Sequence, residues 1–442
     1  MSIFTRKLVF VDKLYRVICV NDKSRKKSTL LIKRLCFDYI GGRFDGRGIL
    51  SWKPDKGFHI EAIVAYSGKP LPPSPAFDFS DVATENISET PDIKIWLHDG
   101  QRAVAKSVFI RGNKRVLKDG FLLVDFDKLI FIERSALTED SEWWSGSATY
   151  SIGDDIFLSD IVETKISIGK ELDFTSQETG LYYEDETMEL RCRKIGSNCY
   201  ELKWALLNKK WSRKDCWEFA EANRWALSIM FGCVVKLLKR KIIRGQQRLI
   251  EISKHEDGER LQSHLTPCEV VRQSSGEVKK IIYLKLLKLF ICENPQAKYC
   301  KVAFYQIYEV SRQKHWQAKE LLLATILEAF LRSIENRPFK PRGKNLDLKQ
   351  SLEKFRLKYF LNKPDLWKRT CNLAIEAQEK LRHRNAHPDW LPTRGGAFSG
   401  SSMEESLSDM CFLSQFYGYM ILAVAGCNDF EPKFRRLTFS KG

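Results

Sequence analysis

Gln378-Glu379-Lys380-Leu381-Arg382-His383-Arg384-Asn385-Ala386-His387-Pro388-Asp389-Trp390 sets an arginine and a histidine five positions apart where a helix has to stop. Proline disfavours helical backbone for the residue before it, so His387 is expected at or just past the last turn, with Arg382 still inside. On a continuing helix the two side chains would be rotated roughly 140° apart, whereas a broken terminus can swing them together. The stretch therefore predicts a helical region whose chemistry sits at a helix end.

Reading outward, the surrounding sequence is helical from about Pro295 onward. Lys298 to Val310 is one expected helix. Trp316 to Ile334 is a second, with Leu323, Ile326, Leu327, Phe330, Leu331 and Ile334 forming an apolar stripe that Asn336-Arg337-Pro338 ends. Leu346 to Tyr359 is shorter. Leu366 to Leu381 leads into the Arg/His stretch, and a last helix is expected from Met403 to about Ala425. The glycine-rich segment between Thr393 and Ser402 lacks the Gly-Lys-Ser/Thr ending of a phosphate-binding loop and reads as a connection. Together these segments predict a small bundle over 295–442.

Toward the amino terminus the period changes to two. Phe58 to Tyr66 places Phe58, Ile60, Ala62, Val64 and Tyr66 on one face, and Ile93 to His98 repeats the alternation before Asp99-Gly100. Further short strands are expected at Ala103 to Ile110, Phe121 to Phe126 and Ile156 to Ile168, so 1–170 reads as a β-rich sandwich or barrel. Residues 171–294 read as a mixed α/β region, either separate from the first or continuous with it as one sensor module. There Met188 to Cys192 and Cys199 to Trp204 look like paired strands, and Lys214 to Phe231 is a helix ending near Gly232. The basic run after Gly232 fits either a strand or a helix. The expected class is α+β.

Composition narrows the setting. A chain of 442 residues with 43% hydrophobic content is long and apolar enough for packed cores. No signal peptide is expected, because Asp12, Lys13 and Arg16 interrupt the first apolar stretch. The runs Leu321 to Leu331 and Tyr419 to Cys427 fall short of the ~20 residues that span a bilayer, so the expectation is a cytoplasmic protein with no membrane partner. Twelve cysteines stand singly with no C-x-x-C pair, as reduced thiols would. The spacing of His255, His264 and Cys268 fits no common zinc pattern, and no metal or cofactor is expected. The net charge of +17 is unevenly placed, with Lys236, Lys239, Arg240, Lys241, Arg244 and Arg248 in one run without an acid, and a second basic run from Arg337 to Lys358. Such surfaces attract polyanions, and Lys239, Arg240 and Lys241 are candidate RNA contacts.

The residue types at the helix end suit phosphodiester chemistry. In RNA the attacking group is the neighbouring 2′-hydroxyl, and negative charge gathers on phosphoryl oxygens. Histidine takes or gives the proton near neutral pH. Arginine stays charged and offers a planar fork to phosphate. A helix C-terminus favours the protonated imidazole.

The spacing Arg382-x-x-x-x-His387, with polar His383 after the arginine, resembles the Arg-x4-6-His signature of the HEPN superfamily (higher eukaryotes and prokaryotes nucleotide-binding). Leu327 to Arg332 resembles the first core helix of such domains, where a glutamate near the active site is common, and Glu328 holds that place. Phe44 to Leu50 with Phe58 to Ala62 is similar to the amino-terminal β domain of ApeA-like phage-defence proteins. The resemblance implies a metal-independent endoribonuclease and toxin of antiviral defence and abortive infection, a hydrolase-class nuclease cleaving cellular RNA such as tRNA when a phage-derived trigger reaches the β-rich module. It implies His387 as proton-transfer residue and Arg382 as phosphate ligand. His383, Arg384, Asn385 and Glu328 would be supporting residues, with Arg384 holding substrate or Asn385 capping the helix. Two copies would pair through the helical domain. The competing expectation is a non-enzymatic RNA-binding or adaptor protein, in which Arg382 and His387 cap a helix and Glu328 pairs with Arg332 at i+4.

Overall fold

A computed structural model describes residues 28–39, 42–53, 57–68, 92–98, 101–111, 121–134, 144–152, 160–167, 173–196, 199–207, 211–244, 247–253, 258–260, 276–291, 295–335, 347–386, 400–428 and 434. The α+β class is realised as an antiparallel sheet of many strands followed by helices. The chain forms two compact units. One contains 1–151, 182–220 and 236–257; the other contains 152–181, 221–235 and 258–442. Much of the sequence read as a mixed middle region thus groups with the amino-terminal strands, and 258–294 groups with the helices.

In the first unit, strands β1 (Ser28–Tyr39), β2 (Gly42–Lys53), β3 (Gly57–Gly68), β4 (Ile93–Leu97), β5 (Arg102–Arg111) and β6 (Phe121–Arg134) are all antiparallel neighbours. They run β3-β2-β1-β4-β5-β6, and β6 pairs back onto β3, which closes a six-stranded ring. Alternation points one side of each strand inward. Leu35, Phe58, Ile60, Ile93, Val124 and Phe126 are almost fully buried there, with Phe37 stacked on Phe44 at 4.9 Å and Phe58 on Phe126 at 5.2 Å. Glycine is required where β2 bends past β3, because a Cβ at Gly48 would lie 2.1 Å from the Glu61 carbonyl oxygen.

β6 changes partner along its length. Phe121 to Phe126 pairs with β3, and Lys128 to Arg134 pairs with β14 (Gln247–Ser253). From there the sheet continues antiparallel through β13 (Lys236–Arg244), β7 (Trp144–Ser151), β11 (Cys199–Leu206) and β10 (Met188–Gly196). The opening turns of α1 (Arg213–Phe231) lie on this extension: Tyr150 donates to the Ala220 carbonyl at 2.9 Å, and Phe219 tilts against Trp204 at 5.2 Å. The basic run after Gly232, ambiguous by pattern, is the strand β13. Gly232 ends α1 in left-handed backbone with φ 60°.

The second unit takes the rest of α1, the antiparallel pair β8 (Asp160–Ser167) and β9 (Asp173–Glu184), the latter as far as Leu181, and the short pair β12 (Cys233–Val234) and β15 (Glu259–Arg260). It also holds α2 (Gly276–Ile291), α3 (Pro295–Arg312), α4 (Trp316–Ile334), α5 (Leu348–Tyr359), α6 (Pro364–Ala386) and α7 (Gly400–Val424). α4 is central and packs against α3, α5, α6 and α7. Its stripe of Leu323, Ile326, Leu327, Phe330 and Leu331 is buried, as the spacing predicted. Two neighbouring α4 carbonyls receive side chains from other helices: Tyr417 donates to Leu323 at 2.8 Å, and Gln378 donates to Ala324 at 3.2 Å. Asp347 caps α5 by accepting from the Gln350 amide at 2.9 Å, and Phe360 stacks on Trp367 at 3.7 Å where α5 turns into α6.

Judged by mean hydropathy over a helix rather than by an unbroken apolar run, Glu404–Val424 in α7 is long and apolar enough to cross a bilayer. It is 78% buried within the protein, as a core helix is. No disulfide joins the nine described cysteines, all of them buried. Burial pushes the thiols of Cys192 and Cys371 up to about 12, which keeps them protonated and poor nucleophiles near neutral pH.

Candidate functional site

The arginine of the opening stretch lies in the last turns of α6 and is 63% exposed in its side chain. One turn earlier, Gln378 is buried and bonded to the Ala324 carbonyl, and the adjacent Leu381 is fully buried. These two contacts fix which face of α6 meets α4. Residue 382 follows 378 by four, and 328 follows 324 by four, so the same face carries Arg382 to Glu328, with Arg382 Nη1 4.0 Å from Glu328 Oε2. Two of the predicted site residues, from sequence positions 54 apart, therefore meet in space.

Glu328 is held from its other side. Arg332 donates twice to Glu328 Oε1, from Nε at 3.0 Å and Nη2 at 2.8 Å, and its side chain is only 17% exposed. The carboxylate is thus fixed by the more buried arginine and presents its second oxygen to the more exposed one. An i,i+4 pair in this half-exposed setting is worth about 0.3–0.5 kcal/mol, so the cluster orients side chains more than it stabilises the fold. Arg382 keeps most of its guanidinium in solvent, where a phosphate can replace the long contact to Glu328 with shorter, bidentate ones.

His383, Arg384 and Asn385 continue α6 as helical backbone up to Ala386, which places Arg382 inside the helix as expected. His387 lies outside the described residues, as do His255, His264, Cys268 and the glycine-rich segment of 393–399. Among the described residues no three His, Cys, Asp or Glu side chains gather in a way that could hold a metal ion.

The basic run corrects one sequence expectation. Arg240 is not a surface contact for RNA: it is 8% exposed, in phase with buried Leu238 and Ile242 on β13. Its Nη2 donates to Glu251 Oε2 at 2.8 Å, its Nη1 donates to the Trp217 carbonyl at 2.9 Å, and the guanidinium lies 3.8 Å over the Trp217 ring. Lys128 Nζ stands 4.0 Å from the other Glu251 oxygen. Lys239 and Lys241 fall on the opposite, half-buried side of the strand. Sequence reasoning missed Gln378. The signal for Gln378 was its place one turn before Arg382; for Arg240 it was the alternation Leu238, Arg240, Ile242, masked by lysines on either side.

No family model, no curated protein and no solved structure matches this chain.

Proposed function

We propose that the protein is a metal-independent endoribonuclease of the HEPN type, in which Arg382 binds the scissile phosphate and His387 moves the proton at the 2′-hydroxyl. The single observation that carries this reading is the exposed Arg382 guanidinium, placed by α6 against Glu328 at a helix C-terminal turn whose following residue is His387. That turn favours cations and anionic substrate groups bridged by them, and attack of the 2′-oxygen on phosphorus leaves a cyclic phosphate as the 5′-oxygen departs with a proton. Glu328, chelated by Arg332, serves as a positioning residue for Arg382 rather than as a base. The setting we propose is cytoplasmic antiviral defence by abortive infection, with tRNA or other cellular RNA as substrate, a phage-derived trigger acting through the amino-terminal strands, and a homodimer as the active form.

Purified protein incubated with total RNA in chelator is expected to yield discrete fragments with cyclic-phosphate ends. Arg382→Ala and His387→Ala should each abolish them while circular dichroism stays unchanged. Intact RNA with the parent protein, or undiminished cleavage by both variants, overturns the reading. One observation favours the non-enzymatic alternative: the Glu328–Arg332 pair is the i,i+4 arrangement of an ordinary helix surface. Under that alternative the parent binds RNA without cutting it.

A further inference from the structure

The outer face of the six-stranded ring carries a hollow that the proposed nuclease reading leaves unused. Strand register fixes its neighbours: Leu31 of β1 pairs with Ile49 of β2, Ile49 with Glu61 of β3, and Glu61 with Leu123 of β6. The His98 amide extends that row by donating to the Leu31 carbonyl at 3.2 Å. Two residues along the strands, and so on the same face, Arg47 pairs with Ile63. Directly opposed residues of a sheet hold their Cβ atoms about 4.5–5.5 Å apart, so these side chains are contiguous. All seven line one hollow of about 430 Å³. Leu31, Ile49, Ile63 and Leu123 are 59%, 39%, 61% and 37% exposed, whereas Ile60, Leu122 and Val124, which alternate with them, are almost fully buried.

The hollow has a fixed wall and one open charge. Gly46 and Gly48 let β2 press against β3, where a Cβ would lie 2.3 Å from the Ile63 carbonyl oxygen and 2.1 Å from that of Glu61, the two β3 residues whose side chains line it. Glu61 is engaged from its other side: His59 Nδ1 lies 2.8 Å from Asp125 Oδ1, and its Nε2 lies 3.5 Å from Glu61 Oε1. Arg47 is exposed and diagonal to Glu61, and among the described residues no ion pair or hydrogen bond holds its guanidinium.

We infer that this hollow binds a small aliphatic carboxylate, its chain covering the four apolar side chains and its carboxylate taking the Arg47 fork. Size selects a small molecule. The volume lies in the ~300–1,000 Å³ range of small-ligand sites, and ten lining residues fall short of the ~20–30 a side of a stable protein interface, which argues against a second copy. The ring has no free strand edge between β3 and β6, so an extended peptide cannot add there by backbone pairing. The interior of the ring offers the chain no alternative, because Phe37, Phe44, Phe58 and Phe126 fill it. Charge selects the head group. Glu61 is already met by His59, so the open guanidinium sets the ligand's sign, and a carboxylate matches its planar fork bidentately. The site stands whether or not the protein cuts RNA.

Calorimetric titration of the full chain with octanoate, octanol and octylamine, each below its micelle concentration, tests it. Octanoate is expected to bind, and the alcohol and the amine to bind roughly tenfold more weakly or not at all. Arg47→Gln should weaken octanoate roughly tenfold, Arg47→Glu should turn the preference toward octylamine, and Leu31→Asn with Ile63→Asn should weaken octanoate as well. These positions are exposed, so unchanged circular dichroism is expected; the parent protein's ranking of the three probes decides the matter even if a variant fails to fold. Equal binding of all three, a preference for octylamine, or no binding of octanoate overturns the proposal. So does octanoate binding that survives Arg47→Gln undiminished, or that ignores the loss of Leu31 and Ile63.

Discussion

The sheet unit and the helical unit each contain an Arg–Glu pair, and the two pairs do opposite things. Arg240 and Glu251 are sealed between β13 and β14 with side-chain exposures of 9% and 3%; Arg382 and Glu328 stand at 63% and 32% on the surface of α6 and α4. The first guanidinium donates from Nη1 and Nη2 to a backbone carbonyl and Glu251 and lays its face on Trp217. The second is tethered by one contact of 4.0 Å. Residue type is the same, so environment alone separates an arginine that belongs to the fold from one that can meet a phosphate. A buried ion pair contributes little net stability once formed, yet removing one partner strands the other in a low-dielectric interior.

That asymmetry gives the largest expected effect. Glu251→Ala leaves Arg240 buried without its carboxylate and should destabilise the sheet unit by about 3–5 kcal/mol, read as a shift of its urea unfolding midpoint. Replacing both partners, Arg240→Met with Glu251→Leu, should recover most of that loss. If the single and double variants unfold alike, the pair is not the desolvated unit described and the contrast between the two arginines collapses.

A second substitution probes why the sheet unit tolerates so little change. At Gly48 an added Cβ would meet the Glu61 carbonyl and the Ala62 backbone, atoms that no side-chain rotation can move. Gly48→Ala should therefore cost about 1–3 kcal/mol in the same titration.

The contrast also explains what could be read from the residues alone. The helix over Trp316 to Ile334 was legible to the residue because its apolar positions keep a single helical period on one buried face. α2 was not, since Ile281 to Ile291 is apolar nearly all round and shows no period. β1 escaped for a related reason: its register shifts between Ile32 and Leu35, so buried Ile32, Leu35 and Phe37 do not keep one alternation. β6 was seen only to Phe126, the point at which it leaves β3 for β14. At the site, the sequence placed Arg382 inside a helix near its end, while Glu328 was put near it only by the family resemblance; the contact that brings them together runs through Gln378, whose bond to a carbonyl on another helix has no sequence pattern. Arg240 misled because two exposed-type lysines flank it, and only the buried phase of Leu238 and Ile242 reveals its direction.

The helical pair should respond weakly in stability and strongly in chemistry. Arg382→Ala is expected to shift unfolding by less than about 0.5 kcal/mol, within the range of exposed pairs, while abolishing the proposed RNA cleavage. Glu328→Gln should likewise leave the fold intact but loosen Arg382, raising KM for RNA more than it lowers kcat. A large stability loss from Arg382→Ala would move this arginine into the same class as Arg240.

The smallest effect concerns acid, and it again belongs to the sheet unit. Asp185 sits in the turn between β9 and β10, where burial raises its pKa but is outweighed by hydrogen bonds donated by Tyr183, the Thr187 hydroxyl and the amides of Thr187 and Met188, bringing it to about 2. The folded value lies below the ordinary aspartate value of about 3.9, so ionised Asp185 favours the folded state above that pH. As pH falls from about 4 toward 2 the unfolded chain takes up the proton first, and the contribution disappears. Asp185→Asn removes the titration while keeping an acceptor for the turn, so the variant should track the parent's stability less steeply with pH in this window and lie slightly below it near neutrality. Identical pH profiles for the two proteins would mean that the turn holds Asp185 no more tightly folded than unfolded, and that its four hydrogen bonds carry no net preference for the charged carboxylate.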